Sequence, residues 1–223
     1  MLCYSDVMCV NFTPPTHRQL LDGFGLDAAG LEWRAETWQD YPAPIITAGG
    51  LLLASYGFIP KPHLPPGVRL TTMNARAETI GEKPTYKGAW RRCQLCLVPM
   101  QAFFEPCYET GRAVRTSISL VSGETFAVAG MWREWLEPEG GVSHAFTQIT
   151  INADEHPLMK RMHKPGDEKR SLVILPRERF GDWLECREPE QARAMLAPFP
   201  AELMCAEPAQ RMTGANGEER GNG

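Results

Sequence analysis

Cys9 directly follows a methionine and opens the run Cys9-Val10-Asn11-Phe12. A chain that starts at Met8 and loses that methionine begins with Cys9. An N-terminal cysteine carries a free α-amine and a thiol on adjacent carbons. That pair condenses with an aldehyde and closes a five-membered thiazolidine ring. An internal cysteine cannot do so, because its nitrogen is an amide. Cys3 is the rival nucleophile, although Leu2 is too large for a methionine aminopeptidase to expose it. Taken alone, Cys9 also reads as a small buried residue, the commonest fate of a free cysteine.

Three further stretches carry chemistry: Asn74-Ala75-Arg76-Ala77-Glu78-Thr79, Cys96 to Glu105, and Arg161-Met162-His163-Lys164-Pro165. Glu105 ends an apolar strand, where burial raises a carboxyl pKa towards the range of a general acid; it also reads as a surface glutamate. His163 titrates near neutral pH and can move a proton; among its basic neighbours it equally reads as a surface histidine. The Asn74 amide can hold an amine or a carbonyl, or cap a turn over 75–79. Arg76 offers a planar fork to a phosphate, or pairs with Glu78 or another carboxylate.

These residues need a scaffold, and the composition allows one. The chain has 223 residues, 43% hydrophobic and 22% charged, with a net charge of −4. That suits one large domain or two small ones and excludes a generic polyanion binder. The longest apolar run, around Leu51 to Ser55, is too short to span a membrane. The start lacks a basic segment followed by an apolar one, so a cytoplasmic, nucleoid-associated protein is expected. The seven cysteines are odd in number and irregularly spaced, which predicts reduced thiols. Cys93 and Cys96 have metal-site spacing, but no second pair accompanies them and structural zinc takes four ligands; no metal or cofactor is expected. Basic residues cluster at Lys83, Lys87, Arg91 and Arg92, and again at Lys160, Arg161, Lys164, Lys169 and Arg170. Such clusters are commonly solvated surface, or they line one groove on an acidic protein.

Patterning predicts a capped helix over Arg18 to Phe24 after Thr16. Residues 32–44 read as irregular chain packed by aromatics. Strands are expected at Ile45-Ile46, Leu51 to Tyr56, Leu70 to Met73, Leu95 to Pro99, Ala102 to Glu105, Arg115 to Leu120, Phe126 to Trp135, Ala145 to Ile151 and Ser171 to Leu175. Asn74 to Thr79 reads as a helical turn. Helices are expected over Arg177 to Cys186 and Glu190 to Leu196. Many short strands with few helices predict an α+β domain around a curved or barrel-like sheet.

The ordered set of motifs resembles the SOS response-associated peptidase (SRAP) family, whose members cross-link to abasic sites in single-stranded DNA. The matching segments are Met8-Cys9, Tyr56-Gly57-Phe58-Ile59-Pro60, Asn74-Ala75-Arg76-Ala77-Glu78, Cys96-Leu97-Val98-Pro99 with Phe103-Phe104-Glu105, Gly130-Met131-Trp132, Thr147 to Ile151 and Met162-His163. They span roughly Met8 to Leu184. Three departures stand out. Tyr56 occupies a position where tryptophan is usual. Asn11 stands where the family has an arginine that contacts DNA phosphate. The stretch from Lys164 to Arg170 is longer than usual.

The resemblance implies a single SRAP-like domain over 9–211, with a twisted, barrel-like antiparallel sheet and a few peripheral helices. Residues 1–8 would be a leader that is mis-assigned or removed, and 212–223 a disordered tail. It implies a DNA-damage function: a thiazolidine cross-link between Cys9 and abasic single-stranded DNA, with Asn74, Glu105 and His163 in one cleft. Arg76, Arg92, Tyr56 and Lys164 are the candidate DNA contacts, and the protein is expected to act as a monomer. (Auto)peptidase or lyase activity belongs to the same reading. Two alternatives stay open: a thiol peptidase using Cys9 and His163, and a non-covalent single-strand-binding module if Cys9 is never exposed.

Overall fold

The computed structural model describes residues 11–210. The nucleophile candidates Cys9 and Cys3, the 1–8 leader and the 212–223 tail lie outside the described residues. The strands are β1 (Phe12–Thr13), β2 (Pro42–Thr47), β3 (Gly50–Tyr56), β4 (Asn74–Arg76), β5 (Leu95–Met100), β6 (Ala102–Cys107), β7 (Val114–Leu120), β8 (Phe126–Leu136), β9 (Val142–Asn152), β10 (Arg170–Leu172), β11 (Ile174–Leu175) and β12 (Met204–Pro208). The helices are α1 (His17–Phe24), α2 (Lys87–Arg91), α3 (Phe180–Glu185) and α4 (Pro189–Ala194).

Strands β3, β2, β5, β8 and β9 bond in that order, and β9 bonds back to β3. This closes a five-stranded barrel and leaves the ring without a free edge. The expected barrel-like sheet is therefore present. It is not wholly antiparallel, because β9 pairs in parallel with both β3 and β4. A second sheet of four strands, in the order β1-β6-β7-β12, carries Glu105.

Every residue of β5 is buried, because it lies in a closed ring with packing on both faces. Cys96, Val98 and Met100 join the core that holds Tyr56 and Phe146, inside the barrel. Leu95 and Leu97 face outwards into a second core, covered by Trp90 of α2, Trp183 of α3 and Ala192 of α4. Period-two alternation thus feeds two cores from one strand. Cys93 and Cys96 fall in different cores, so their thiols do not share a metal site. Gly130 has a steric reason. A Cβ there would lie 2.8 Å from Val98 Cγ2, 2.9 Å from Cys96 Sγ and 2.9 Å from the Thr147 carbonyl oxygen.

Helix α1 forms as its capping signal predicts: the Thr16 hydroxyl accepts from the Gln19 amide, and Gly25 ends the helix at φ 68°. Several expectations differ from the structure: residues 42–44, read as irregular chain, are the first half of β2. Asn74 to Arg76 is strand, with the turn following from Ala77; Leu70 to Met73 is not strand. The edge of β9 captures Asn74, Ala75 and Arg76 opposite Gln148, Ile149 and Thr150, and Ala75 is fully buried by that docking. The expected strand over Ser171 to Leu175 divides in two. The Val173 amide donates to Ile149 and its carbonyl accepts from Ala129, so the chain crosses from β9 to β8 at that residue. No helix among the described residues is long and apolar enough to cross a membrane.

Candidate functional site

Along β6, Phe103 and Glu105 are both buried, at 0% and 3% exposure, while Phe104 between them is only partly covered. Alternation therefore turns a carboxyl group towards the apolar side of its sheet. A buried carboxyl is costly unless other groups meet it.

His163 meets it. A short 3-10 turn at Met159–Arg161 delivers the segment, and Met162 bridges to Cys107. The His163 amide then donates to the Pro106 carbonyl at 2.8 Å. The residue adopts φ 60°, a left-handed conformation uncommon outside glycine and found where surrounding structure imposes it. Its Nδ1 lies 3.8 Å from Glu105 Oε2, ion-pair range and too long for a hydrogen bond. Its Nε2 lies 3.3 Å from the Arg170 carbonyl oxygen. That oxygen can only accept, so Nε2 carries the hydrogen and Nδ1 faces Glu105 with its lone pair when the ring is neutral. Burial pushes the His163 pKa below its ordinary value; the bond to the Arg170 carbonyl opposes this, and the charges of Lys169 and Arg170 reinforce it. A neutral imidazole and a buried carboxyl on one cleft are both groups able to exchange a proton with a substrate or water placed between them.

Arg170 ties this pair to β4. It is 2% exposed and donates twice to Glu78, at 2.9 and 2.7 Å, and once to Glu168 at 2.8 Å. It also reaches the Thr150 carbonyl at 2.8 Å. Thr150 is the register partner of Arg76, and Gln148 that of Asn74. Arg76 is half-exposed and donates to Glu168 at 2.7 Å. Its carboxylate partner is therefore Glu168, and Glu78 belongs to Arg170. The Asn74 carbonyl accepts from the Tyr86 hydroxyl at 3.1 Å, and burial pushes that phenol up to about 12. Asn74 sits within β4, so it does not cap a helical turn.

Of the other candidates, Tyr56 and Arg92 fall elsewhere and Lys164 adjoins His163. Tyr56 is wholly buried, stacked on Phe146 at 5.1 Å with its hydroxyl bonded to Gln148 at 2.9 Å. It offers no face on which a base could stack. Arg92 is exposed beside Arg133 and donates to Gln94 at 2.7 Å. Arg133 pairs with Ala145, five residues along β9 from Thr150, or about 17 Å of strand. Lys164 is exposed next to His163. The second basic cluster is largely committed internally: Arg161 pairs with Glu109 at 2.6 Å, and Lys169 bonds to the carbonyls of His163 and Lys164. Asn11 is buried and donates to Glu36, which also holds Arg115 at 2.6 Å.

Sequence reasoning missed Arg170, Glu168 and Gln148 as parts of this network. A charged run that ends abruptly at the apolar strand Ser171 to Leu175 was the available signal for Arg170. A glutamine amid the apolar residues of β9 was the signal for Gln148.

Known proteins agree with this architecture. A profile of the SOS response associated peptidase (SRAP) family matches residues 31–214. The chain is 31% identical over 155 residues to the abasic site processing protein YobE of Bacillus subtilis (strain 168), covering 67% of this chain and 66% of that one. It is 30% identical over 152 residues to the abasic site processing protein YoqW of the same organism, covering 67% and 64%. The match thus spans just under two thirds of the length of these relatives. A crystal structure of a protein from Bordetella bronchiseptica superposes with a TM-score of 0.81 at 29% identity, covering 91% of this chain and 100% of that one. A Bacteroides thetaiotaomicron structure shares the fold, with a TM-score of 0.71 at 22% identity over 91% and 92% of the two chains. With its barrel, its Asn74–Arg76 strand on β9 and its buried Glu105–His163 pair, this chain belongs to the SOS response associated peptidase family.

Proposed function

We propose that this protein processes abasic sites in single-stranded DNA by forming a thiazolidine cross-link through Cys9. The observation that carries the reading is the buried Glu105–His163 pair, with Glu105 next to Phe104 on β6. Asn11, the first described residue, already lies beside Phe104, whose amide donates to the Asn11 carbonyl at 3.2 Å. Cys9 is two residues upstream.

The chemistry balances with these groups. The abasic deoxyribose opens to an aldehyde. The Cys9 α-amine adds to it and water leaves, giving an imine. The thiol then adds across the C=N bond, its sulfur to carbon and its proton to nitrogen. Glu105 donates the proton that departs with the water, and neutral His163 receives and returns protons during ring opening. Asn74 holds the amine or the sugar hydroxyl, and Arg76 a flanking phosphate. The free amine requires translation from Met8 or removal of residues 1–8, for which Glu105 also supplies a proton relay. The protein acts as a monomer on the nucleoid.

The test is a denaturing gel after incubation with abasic single-stranded DNA, paired with the mass of the purified N-terminus. A heat-stable adduct lost in Cys9→Ser and kept in Cys3→Ser supports the reading. An intact Met1 with DNA binding but no adduct supports the non-covalent module instead. Turnover of foreign peptides without an adduct supports a thiol peptidase.

A further inference from the structure

The carboxylate that pairs with Arg76 sits on the segment that carries His163. Glu168 Oε2 accepts from Arg76 Nη1 at 2.7 Å, while Oε1 accepts from Arg170 Nη1 at 2.8 Å and from Asn152 Nδ2 at 3.3 Å. Burial raises the Glu168 pKa, but the bonds from Arg170 and Asn152 and the charges of Arg170 and Arg76 outweigh it, so the group is a carboxylate at neutral pH. A carboxylate offers a guanidinium the same paired oxygens as a phosphate does. The Arg76 and Glu168 side chains remain 44% and 37% exposed, and exposed pairs of this kind contribute little to stability.

The two sides of this bridge are unequally anchored. Arg170 keeps its bidentate bond to Glu78 and its bond to the Thr150 carbonyl whatever Arg76 does. Glu168 keeps Arg170 and Asn152. The loop itself is pinned, since the Lys169 amide donates to Asp154 at 2.8 Å and its ammonium bonds to the His163 and Lys164 carbonyls. Arg76 is the exposed member of the bridge, and its departure takes no bond from the buried Arg170.

We propose that Glu168 is an internal phosphate surrogate, which occupies Arg76 until a backbone phosphate of single-stranded DNA displaces it. The consequence is weak binding to undamaged strands. The proposal rests on the reading that Arg76 faces DNA.

The test measures binding of an undamaged single-stranded oligonucleotide by fluorescence anisotropy across a salt series. Glu168→Gln keeps the shape and removes the charge. Expected are a several-fold gain in affinity and a salt slope steeper by about 0.7, the value of one released single-strand counterion. Glu168→Asp keeps the charge near Arg170 but is one methylene too short to hold Arg76 as well, and it should also tighten binding. In an Arg76→Ala background, Glu168→Gln should add nothing. Unchanged or weaker binding by a folded Glu168→Gln, or a gain that persists without Arg76, overturns the gate. If Arg76→Ala weakens binding while neither Glu168 variant strengthens it, only the gate fails. If Arg76→Ala binds as the wild type does, the reading of the interface fails with it.

Discussion

His163 Nδ1 faces Glu105 Oε2 at 3.8 Å, with the two side chains only 7% and 2% exposed. Neither side chain gains from solvation at that depth, and the histidine backbone is held in a left-handed conformation. Structural packing alone favours apolar residues at such positions. Under the proposed function, these two polar groups serve proton transfer with the substrate.

Glu105→Gln should slow adduct formation by about 100-fold or more, the scale of losing one general acid, while DNA binding holds. Single-turnover gels with abasic single-stranded DNA measure this. A wild-type rate in the variant would remove Glu105 from the proton path.

His163 makes stability depend on pH. Its folded pKa is depressed below the ordinary 6.5 by burial. Its contribution is therefore fully present above about 6.5, where the unfolded imidazole is also neutral. It is lost as pH falls from there towards the lower folded pKa, because only the unfolded state takes up the proton. Urea unfolding at pH 7.5 and 5.5 should show a smaller drop for His163→Gln than for the wild type. Equal drops would contradict the assignment.

Gly130→Ala should destabilise the protein by about 1–3 kcal/mol through overpacking. The added methyl group meets Val98 and Cys96 inside the barrel and the backbone oxygen of Thr147, and the backbone oxygen cannot rotate away. A melting temperature within a degree of the wild type would refute the close approach.

Tyr56→Phe should cost about 1–3 kcal/mol by leaving the buried Gln148 carbonyl without this donor. Gln148 is 0% exposed, and its Nε2 already lacks a partner among the described residues. Adding Gln148→Leu should restore much of the loss, because removing both partners of a buried bond is nearly neutral. A double variant no more stable than Tyr56→Phe alone would show that the pair is not coupled.

β3, β5 and the second half of β2 were legible as short apolar runs bounded by turns, and α1 because its cap is local. Asn74 to Glu78 was legible as a motif, but not as a strand. Its conformation is imposed by the edge of β9, more than 70 residues downstream, and β-structure follows its partner more than its own propensity.

The sequence by itself determined the residue chemistry and its order: a cysteine after Met8, a carboxyl at the end of an apolar strand, a histidine among basic residues. Tertiary structure alone decided which groups meet. Glu78 and Arg170 stand 92 positions apart, as do Arg76 and Glu168, and no local pattern chooses between the two glutamates for Arg76. The pairing of β4 and β10 with β9 made that choice, and a shift of one residue in either register would have turned every side chain to the other face. Packing inside the closed barrel buried Tyr56 and made a residue that reads as a stacking surface part of the core.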